Sequence, residues 1–497
     1  GGEIQRLFLA SFIITEMDSL TFIFDEPTIG LHEVEKEKLI AIIKNLVQRG
    51  NTVIAVEHDP NFMRAADYII DLGPGAGPYG GERIFQGSLA DFGSCKDSKT
   101  APYLSGEKLL AVKQEFKPAA GCKLLGIHNA QLHNLRNVSV SIPLGLMVGI
   151  AGVSGSGKSS LINDTLMPKL KEMLQGKFIH EVDVHEVGAI DEADGLQAVE
   201  SLHIVEENAE VETAFDNTPG VGALPRVSAH VTGAEYIKKC IVVDQRPIGR
   251  SRTSCPATYT GIFDRIRALF AKTPAATSHG YTPGLFTVNS EGGCRVCKGE
   301  GVTYFYVGYG NFVNLECEAC GGTGFVEEAM NITLDGKNIK EILAMTVSEA
   351  VEFFGRKDTQ AFDKTIFNIL KTLDRVGMGY ITLGQKTPTI SGGEAQRIKL
   401  AKELSKQNGK DNLYILDEPT TGLSFDDTKR LIELLAQLVN AENTVIIIEH
   451  DPSVLSNCDY IIEMGPGGGS DGGNIIATGA PNELKTNERS IIGKYLK

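Results

Sequence analysis

Short apolar runs that end at an acidic or glycine residue recur along the chain, and they predict buried parallel strands. Four such runs lie at residues 20–24, 53–56, 413–416 and 445–448, and a fifth, at 147–151, precedes a glycine-rich stretch. The segments between the runs have the apolar spacing of helices. Strands that alternate with helices predict an α/β fold built on a parallel sheet.

The chain also repeats itself at a distance of about 390 residues. Four blocks recur in the same order: GGEIQR at 1–6 and GGEAQR at 392–397, FIFDEPTIGL at 22–31 and YILDEPTTGL at 414–423, NTVIAVEHDP at 51–60 and NTVIIIEHDP at 443–452, DYIIDLGPG at 67–75 and DYIIEMGPG at 459–467. A period of this length predicts two large homologous domains and not a solenoid. Because the first copy opens on its first block, we expect the chain to be a fragment or a truncated product.

The glycine-rich stretch at 152–159, GVSGSGKS, fits the pattern G-x-x-x-x-G-K-[ST] between a predicted strand and a predicted helix. Backbone N–H groups of such a P-loop wrap phosphates at a helix N-terminus, a lysine adds positive charge, and a serine hydroxyl can hold Mg²⁺. The predicted nucleotide-binding residues of this loop are Gly152, Ser154, Gly155, Gly157, Lys158, Ser159 and Ser160.

Two acids and a histidine follow apolar runs of the second repeat. We predict Asp417 as a second Mg²⁺ anchor, Glu418 as the group that polarises an attacking water, and His450 as a contact to the γ-phosphate. A helix-capping acid cluster is the alternative for the acids, and a structural role is the alternative for the histidine. Duplication of all three residues favours function, since the first repeat carries Asp25, Glu26 and His58.

Two pairs of cysteines have the spacing of a structural zinc site. Each pair has the form C-x-x-C-x-G-x-G, and the four predicted ligands are Cys294, Cys297, Cys317 and Cys320. Glycines at these positions suit tight turns that point backbone N–H groups toward sulfur. Four unrelated core cysteines are the alternative, and a similar double knuckle in some chaperones means that zinc alone does not imply DNA. The other five cysteines are scattered singly and are predicted to be buried.

Composition narrows the classes of protein that remain. The 497 residues suit about three domains, and 63 acids against 48 bases give a net charge of −15. This balance argues against a protein that coats nucleic acid indiscriminately. We find neither an apolar stretch of membrane-spanning length nor a signal sequence, and nine cysteines do not make a disulfide scaffold. We therefore expect a cytoplasmic, reducing environment.

The motifs together resemble the ATP-binding cassette ATPases, because the sequence SGGE at 391–394 is similar to that family's signature motif. Within that group the chain resembles the UvrA family of DNA-damage-recognition subunits. The resemblance rests on GVSGSGKSSLINDT at 152–165, DQRPIGR at 244–250, PATYTG at 256–261, GYTPG at 280–284 and SGGEAQR at 391–397. It implies tandem ATP-binding cassette P-loop domains with an inserted zinc-knuckle module.

The resemblance further implies that each ATP is held between the P-loop of one cassette and the signature of the other. One nearly complete site is then expected in this chain, with Gln245 linking the nucleotide state to the inserted domains. Its closing signature is predicted at Gly1, Gly2 and Glu3, and the second signature at Ser391, Gly392, Gly393 and Glu394. At Ser424 the family commonly has a histidine, which the first repeat has at His32.

We predict five segments from these features. They are 1–120, the end of a first cassette; 121–170, the start of a second cassette with the P-loop; 171–235, an acidic insertion; 236–390, a region with a zinc module at about 280–330; and 391–497, the end of the second cassette. Residues 181–235 hold thirteen acids and one base, Arg226. A solvated excursion and a protein-docking surface both suit that composition.

The function implied by the resemblance is lesion-scanning DNA binding driven by ATP hydrolysis, without intrinsic nuclease activity. The implied cofactors are ATP, Mg²⁺ and Zn²⁺, and the implied partners are lesion-bearing double-stranded DNA, a UvrB-like helicase and a second copy of the chain. Two alternatives remain: a UvrA-like paralogue in drug resistance, and a zinc-containing ATPase switch in protein assembly.

Candidate DNA contacts are less distinct in the sequence. Five arginines within 22 residues, Arg246, Arg250, Arg252, Arg265 and Arg267, predict an electrostatic footprint, for which a solvated face is an equal alternative. Of these we assign Arg246, Arg250 and Arg252 to DNA. Aromatic residues are abundant between the cysteine pairs, where Lys298 is the only base, so the family's DNA-contacting hairpin is expected there by resemblance.

Overall fold

The computed structural model describes residues 18–496 except 76, 78–79, 109, 111–115, 175, 181–227, 250–252, 309–310 and 407–408. Predictions for Gly1, Gly2, Glu3, Arg250 and Arg252 therefore lie outside the described residues. No helix in the described ranges combines the length and the apolar character that crossing a membrane requires.

The described residues form sixteen strands. They are β1 Thr21–Asp25, β2 Thr52–Val56, β3 Ile69–Gly73, β4 Glu82–Gly87, β5 Leu124–Gln131, β6 Val138–Pro143, β7 Met147–Gly152, β8 Phe178–His180, β9 Ser228–Thr232, β10 Lys239–Val243, β11 Val302–Gly308, β12 Asn311–Glu316, β13 Asn412–Asp417, β14 Thr444–Ile448, β15 Tyr460–Gly465 and β16 Asn474–Gly479.

Seventeen α-helices connect and cover the strands in the described part of the chain. They are α1 Glu33–Gln48, α2 Pro60–Arg64, α3 Leu89–Phe92, α4 Ala101–Leu104, α5 Lys158–Leu161, α6 Met167–Leu174, α7 Pro256–Thr260, α8 Ile262–Ala271, α9 Pro274–Ser278, α10 Glu327–Met330, α11 Ile339–Ala344, α12 Val347–Gly355, α13 Lys364–Leu373, α14 Gly392–Ser405, α15 Phe425–Asn440, α16 Pro452–Leu455 and α17 Pro481–Thr486. A π-helical turn, Ile162–Leu166, joins α5 to α6.

The second repeat is built on a seven-stranded sheet in the order β16-β15-β7-β14-β13-β10-β8. All neighbours are parallel except β16, which runs antiparallel to β15. Strands β7, β13 and β14 are apolar and almost wholly buried because helices cover both faces of the sheet. The α/β fold predicted from the apolar runs is thus confirmed, and the P-loop strand lies in the middle of the sheet.

The first repeat has the same strands in a more open arrangement. β1 pairs in parallel with β2, and β3 pairs antiparallel with β4, as β13, β14, β15 and β16 do at the matching positions. One face of these strands is open among the described residues, where Ile23 and Ile54 are 73% and 52% exposed. Helix α1 covers the other face through Leu39, Ile43 and Leu46, and no described segment packs over the exposed one.

A helical module follows the P-loop half of the second repeat. Helices α7 to α13 share one apolar core, which includes Phe270, Phe286 and Phe354, and this core continues onto α14. From the module projects an antiparallel hairpin, β11–β12, beside the four cysteines. The sequence patterns did not predict this helical core, since its helices are short and irregularly spaced.

The acidic segment begins and ends inside the cassette. β8, at its start, pairs with β10 in the seven-stranded sheet, while β9, at its end, pairs with β5 in a separate three-stranded sheet. Residues 181–227, which hold nearly all of its acids, lie outside the described residues.

Candidate nucleotide site and metal centre

The P-loop connects β7 to α5. Two of its glycines have backbone conformations that other residue types would not tolerate. Gly152 has φ +142°, and a Cβ there would lie 2.3 Å from the carbonyl oxygen of Met464; Gly157 has φ +102°. Lys158 is buried, and its Nζ donates to the carbonyl oxygens of Gly152 and Val153 at 2.9 and 3.0 Å. Burial lowers the pKa of Lys158 to about 8. A phosphate in the loop would offer this lysine a stronger acceptor than two carbonyls.

The predicted acids stand beside the P-loop at the end of β13. Asp417 Oδ2 accepts a hydrogen bond from Asn163 Nδ2 at 3.0 Å, and Glu418 Oε1 lies 3.2 Å from His450 Nε2. Burial raises the pKa of Asp417. Burial acts in the same direction on Glu418, but the His450 ring and the Lys158 ammonium outweigh it and lower the pKa of Glu418. The carboxylate expected to polarise water is therefore ionised and already oriented by a histidine.

A buried glutamate outside the predicted set of site residues holds the histidine segment in place. Glu449 Oε2 accepts the backbone N–H groups of His450 and Asp451 at 2.7 and 3.3 Å, and its Oε1 accepts the Thr420 hydroxyl. Burial raises the pKa of Glu449 to about 7. The sequence marks this glutamate, because the motif E-H-D-P occurs in both copies of the repeat.

The first repeat reproduces this arrangement in a looser form. Glu57 accepts the N–H groups of Thr28, His58 and Asp59 at 2.8, 2.9 and 3.1 Å. The separation of His58 Nε2 from Glu26 Oε1 is 3.8 Å, against 3.2 Å for the matching pair of the second repeat. Asp25 ends β1 as Asp417 ends β13.

Gln245 and the second signature, residues 391–394, lie close to each other, and Gln245 also contacts Glu418. Gln245 Nε2 donates to the carbonyl oxygen of Glu418 at 3.3 Å, and a Cβ on Gly392 would lie 3.1 Å from the carbonyl oxygen of Gln245. Ser391 caps helix α14 and accepts the N–H of Glu394, so the exposed signature marks the start of a helix. The structure thus links Gln245, Glu418 and the signature helix, which join the nucleotide site to the helical module.

The two repeats face each other across their D-E-P-T-x-G segments. A Cβ on Gly30 would lie 3.6 Å from Glu418 Oε1, and a Cβ on Gly422 would lie 3.4 Å from Glu26 Oε1. Glu35 of α1 reaches the P-loop, where its Oε2 accepts the Ser154 N–H at 3.2 Å. Each repeat therefore supplies a wall of the other's site, a contact that local sequence patterns cannot reveal.

The four predicted cysteines form a cluster that fits a zinc ion. Their Sγ atoms all lie within 4.8 Å of one another, and two pairs are 4.0 and 3.7 Å apart. Four thiolates at 2.3 Å from a tetrahedral zinc would be about 3.8 Å apart. Gly301 and Gly324 donate backbone N–H groups to Cys297 and Cys320 Sγ at 3.2 and 3.3 Å, the contacts expected for knuckle turns. The donor set suits Zn²⁺, which would cross-link the two turns.

The hairpin beside the cysteines exposes an apolar surface. The large exposed residues on its two strands are Tyr304, Phe305, Tyr306, Val307, Phe312, Val313 and Leu315, each between 45% and 62% exposed. Soluble proteins expose a cluster of this kind mainly where a partner binds.

The described arginines of the predicted footprint are each paired with an acid. Arg246 lies 3.3 Å from Asp244, Arg265 lies 3.3 Å from Asp363, and Arg267 contacts Asp264. These arginines do not form an unopposed basic patch, and the assignment of Arg246 to DNA stays a prediction.

We expect Lys158→Ala to weaken ATP binding about 10- to 100-fold, because a charged hydrogen bond to phosphate contributes about 1.5–3 kcal/mol. Fluorescence titration with a labelled ATP analogue measures this. Lys410→Ala is the matched control, since Lys410 is exposed and contacts only Glu442 among the described residues. Unchanged affinity in Lys158→Ala would contradict the assignment of the loop.

Comparison with known proteins agrees with this geometry. The family model described as ABC transporter matches residues 323–421. UvrABC system protein A from Aquifex aeolicus is 44% identical over the whole chain, and that from Staphylococcus aureus strain COL is 42% identical. The chain covers 48% and 47% of these two proteins, so it spans about half the length of its curated relatives.

A solved structure resembles the whole chain. The crystal structure of UvrA2 from Deinococcus radiodurans matches with a TM-score of 0.82 and 36% identity, covering 100% of this chain and 54% of that one. The two sequence relatives and this structure each match 100% of this chain. The chain belongs to the UvrA family of ATP-binding cassette proteins.

Proposed function

We propose that this chain is part of an ATP-dependent DNA-damage-recognition subunit of nucleotide excision repair. It binds lesion-containing duplex DNA and hydrolyses ATP to load partner proteins. One observation carries the proposal: a zinc-compatible cysteine cluster with an exposed aromatic hairpin is inserted between the Gln245 strand and the signature helix of an ATP-binding cassette. The similarity to UvrABC system protein A supports the repair role.

Each residue of the nucleotide site has a distinct task in this proposal. Backbone N–H groups of the P-loop and the Lys158 ammonium bind the phosphates, while the Ser159 hydroxyl and Asp417 hold Mg²⁺. Glu418 accepts a proton from the attacking water, and His450 keeps that carboxylate oriented. Mg²⁺, when bound, neutralises charge that develops on the transferred phosphoryl group.

Hydrolysis acts on the DNA-binding module through the contacts behind the site. Gln245 touches the backbone of Glu418, and it lies in the chain between β10 and α7, the first helix of the helical module. The core of that module continues onto helix α14, so a change at the nucleotide site has a short packed route to the hairpin. We propose that ATP shifts the population of module orientations by binding one of them more tightly.

Partners follow from the same family relationship. In this proposal the chain acts as part of a homodimer and delivers damaged DNA to a UvrB-like helicase, and it has no nuclease activity of its own. The exposed hairpin aromatics supply flat faces for stacking on bases that a lesion has unpaired.

Direct binding measurements test the proposal. The chain, with zinc and ATP, is titrated with lesion-bearing and undamaged duplexes at a stated salt concentration, because electrostatic affinity varies steeply with salt. We expect tighter binding to the lesion, and loss of that preference when zinc is chelated. Phe312→Ala is expected to weaken lesion binding about 5- to 100-fold, the effect of losing one stacking face.

Phe116→Ala is the matched control, because Phe116 is also exposed but lies far from the hairpin in the chain. Equal affinity for both duplexes, in a sample that still binds ATP, would contradict the repair proposal. That outcome would favour a protein partner for the hairpin, a role that its neutral, aromatic surface also fits.

A further inference from the structure

His32, the residue before helix α1, is fully buried and makes only one of the two hydrogen bonds that its ring allows. Its Nδ1 accepts the Val34 N–H at 3.4 Å, while Nε2 bonds to no described group. Because a backbone N–H occupies the Nδ1 lone pair, the neutral ring carries its proton on Nε2. A buried N–H donor is thus left without an acceptor, which native structures rarely allow away from functional sites.

The His32 ring lies where the two repeats meet. Residues on either side of His32 touch the second nucleotide site: Gly30 packs on Glu418, and Glu35 accepts the Ser154 N–H at 3.2 Å. The ring also stands edge-on to Tyr495 near the end of the second repeat, with centroids 6.0 Å apart.

The surroundings of Nε2 suit an anion. Burial, together with the charges of His450, Lys158 and Lys36, lowers the pKa of His32 to about 4, so the ring is neutral at physiological pH. The side chains of His450, Lys158 and Lys36 thus lie near the His32 ring, and Lys158 belongs to the loop predicted to bind phosphate. A phosphate oxygen in that loop would satisfy the His32 donor.

The second repeat has no counterpart of this donor. Ser424, at the matching position, caps α15 by accepting the Asp427 N–H at 3.3 Å, and its hydroxyl donates to the Asp427 carboxylate at 2.7 Å. These hydrogen bonds of Ser424 lie within its own helix. Only the first repeat therefore presents such a donor to the other repeat.

We propose that His32 donates its Nε2–H to the terminal phosphate of a nucleoside triphosphate bound at residues 152–159. The first repeat thereby senses, across the interface, whether the second repeat holds a triphosphate or a diphosphate. This inference rests on the proposed function, because it requires nucleotide in that loop. The one-sided contact makes the two repeats inequivalent in how they respond to nucleotide.

Two substitutions remove the imidazole Nε2–H while keeping a side chain that can cap the helix. His32→Asn retains a side-chain acceptor for the first turn of α1, and His32→Ser introduces the residue that caps α15. For both variants we expect the affinity for a non-hydrolysable ATP analogue to fall about 10- to 100-fold. The affinity for ADP should stay within about twofold of that of the unaltered chain, because ADP lacks the phosphate that His32 contacts.

Titration calorimetry with both nucleotides measures these affinities. The matched control is His279→Asn, because His279 is an exposed histidine. Equal affinity for the triphosphate in the unaltered chain and in both variants would overturn the role of His32 alone. A parallel loss of triphosphate and diphosphate binding would also overturn it, since that pattern indicates a structural role. An unaltered chain that binds neither nucleotide would overturn both this inference and the ATPase proposal.

Discussion

Replacing Glu418 by glutamine is expected to slow ATP hydrolysis about 10²- to 10⁴-fold while leaving ATP binding intact. Removal of a positioned general base costs a factor of this size, because glutamine cannot accept the proton of the attacking water. Glutamine has nearly the same shape, and its side-chain oxygen can still face His450 Nε2, which lies 3.2 Å from the carboxylate. Loss of a negative charge beside the phosphates does not weaken the binding of a polyanion.

Phosphate release under steady-state conditions measures turnover, and titration with a labelled ATP analogue measures binding. Glu442→Gln is the matched control: Glu442 is an exposed glutamate whose carboxylate contacts Lys410 at 3.1 Å. Turnover should be unchanged in that control. If Glu418→Gln retained more than about a tenth of the original turnover, Glu418 would not be the base.

Substituting Cys317 by serine is expected to abolish stoichiometric zinc binding and to unfold the knuckle locally. Structural zinc contributes an apparent 10–16 kcal/mol or so in small zinc modules, and serine is a poor replacement for a thiolate ligand. The cysteines form a small apolar cluster of their own, and the adjacent hairpin is exposed. The loss should therefore expose residues 294–320 to protease.

Metal analysis gives zinc per chain, and limited proteolysis locates the unfolding. ATP binding should persist in Cys317→Ser, because the apolar clusters around the P-loop strand contain no residue of the zinc module. Cys122→Ser is the matched control, as Cys122 stands apart from the cluster. Full zinc content in Cys317→Ser would refute the metal site, and loss of ATP binding would refute the independence of the two sites.

Much of the nucleotide site could be predicted from sequence because its parts are local. The P-loop is eight consecutive residues between a strand and a helix, and the acids and histidines end apolar runs that recur in both repeats. Parallel strands place their carboxyl ends at the same edge of a sheet, so residues 417, 418 and 450 are expected to lie close together at that edge. The cysteine spacing predicted the cysteine cluster for the same reason, since two short turns each present two thiols.

What local patterns could not supply were contacts between distant segments. The hydrogen bond that the Thr420 hydroxyl donates to Glu449 joins two loops 29 residues apart, and no spacing encodes it. The helical module could not be predicted from local sequence patterns, because its short helices depend on a shared core for their stability.

The sequence by itself determined the chemistry of this protein: a phosphate loop, paired acids, duplicated histidines and four thiols, each specified by residues close together in the chain. Only the tertiary structure decided how the two repeats share a site. It places Glu35 of one repeat against the P-loop of the other, more than a hundred residues away in sequence. The physical reason is that local hydrogen bonding and hydrophobic periodicity specify individual elements, whereas contacts between repeats depend on the packing of complementary surfaces.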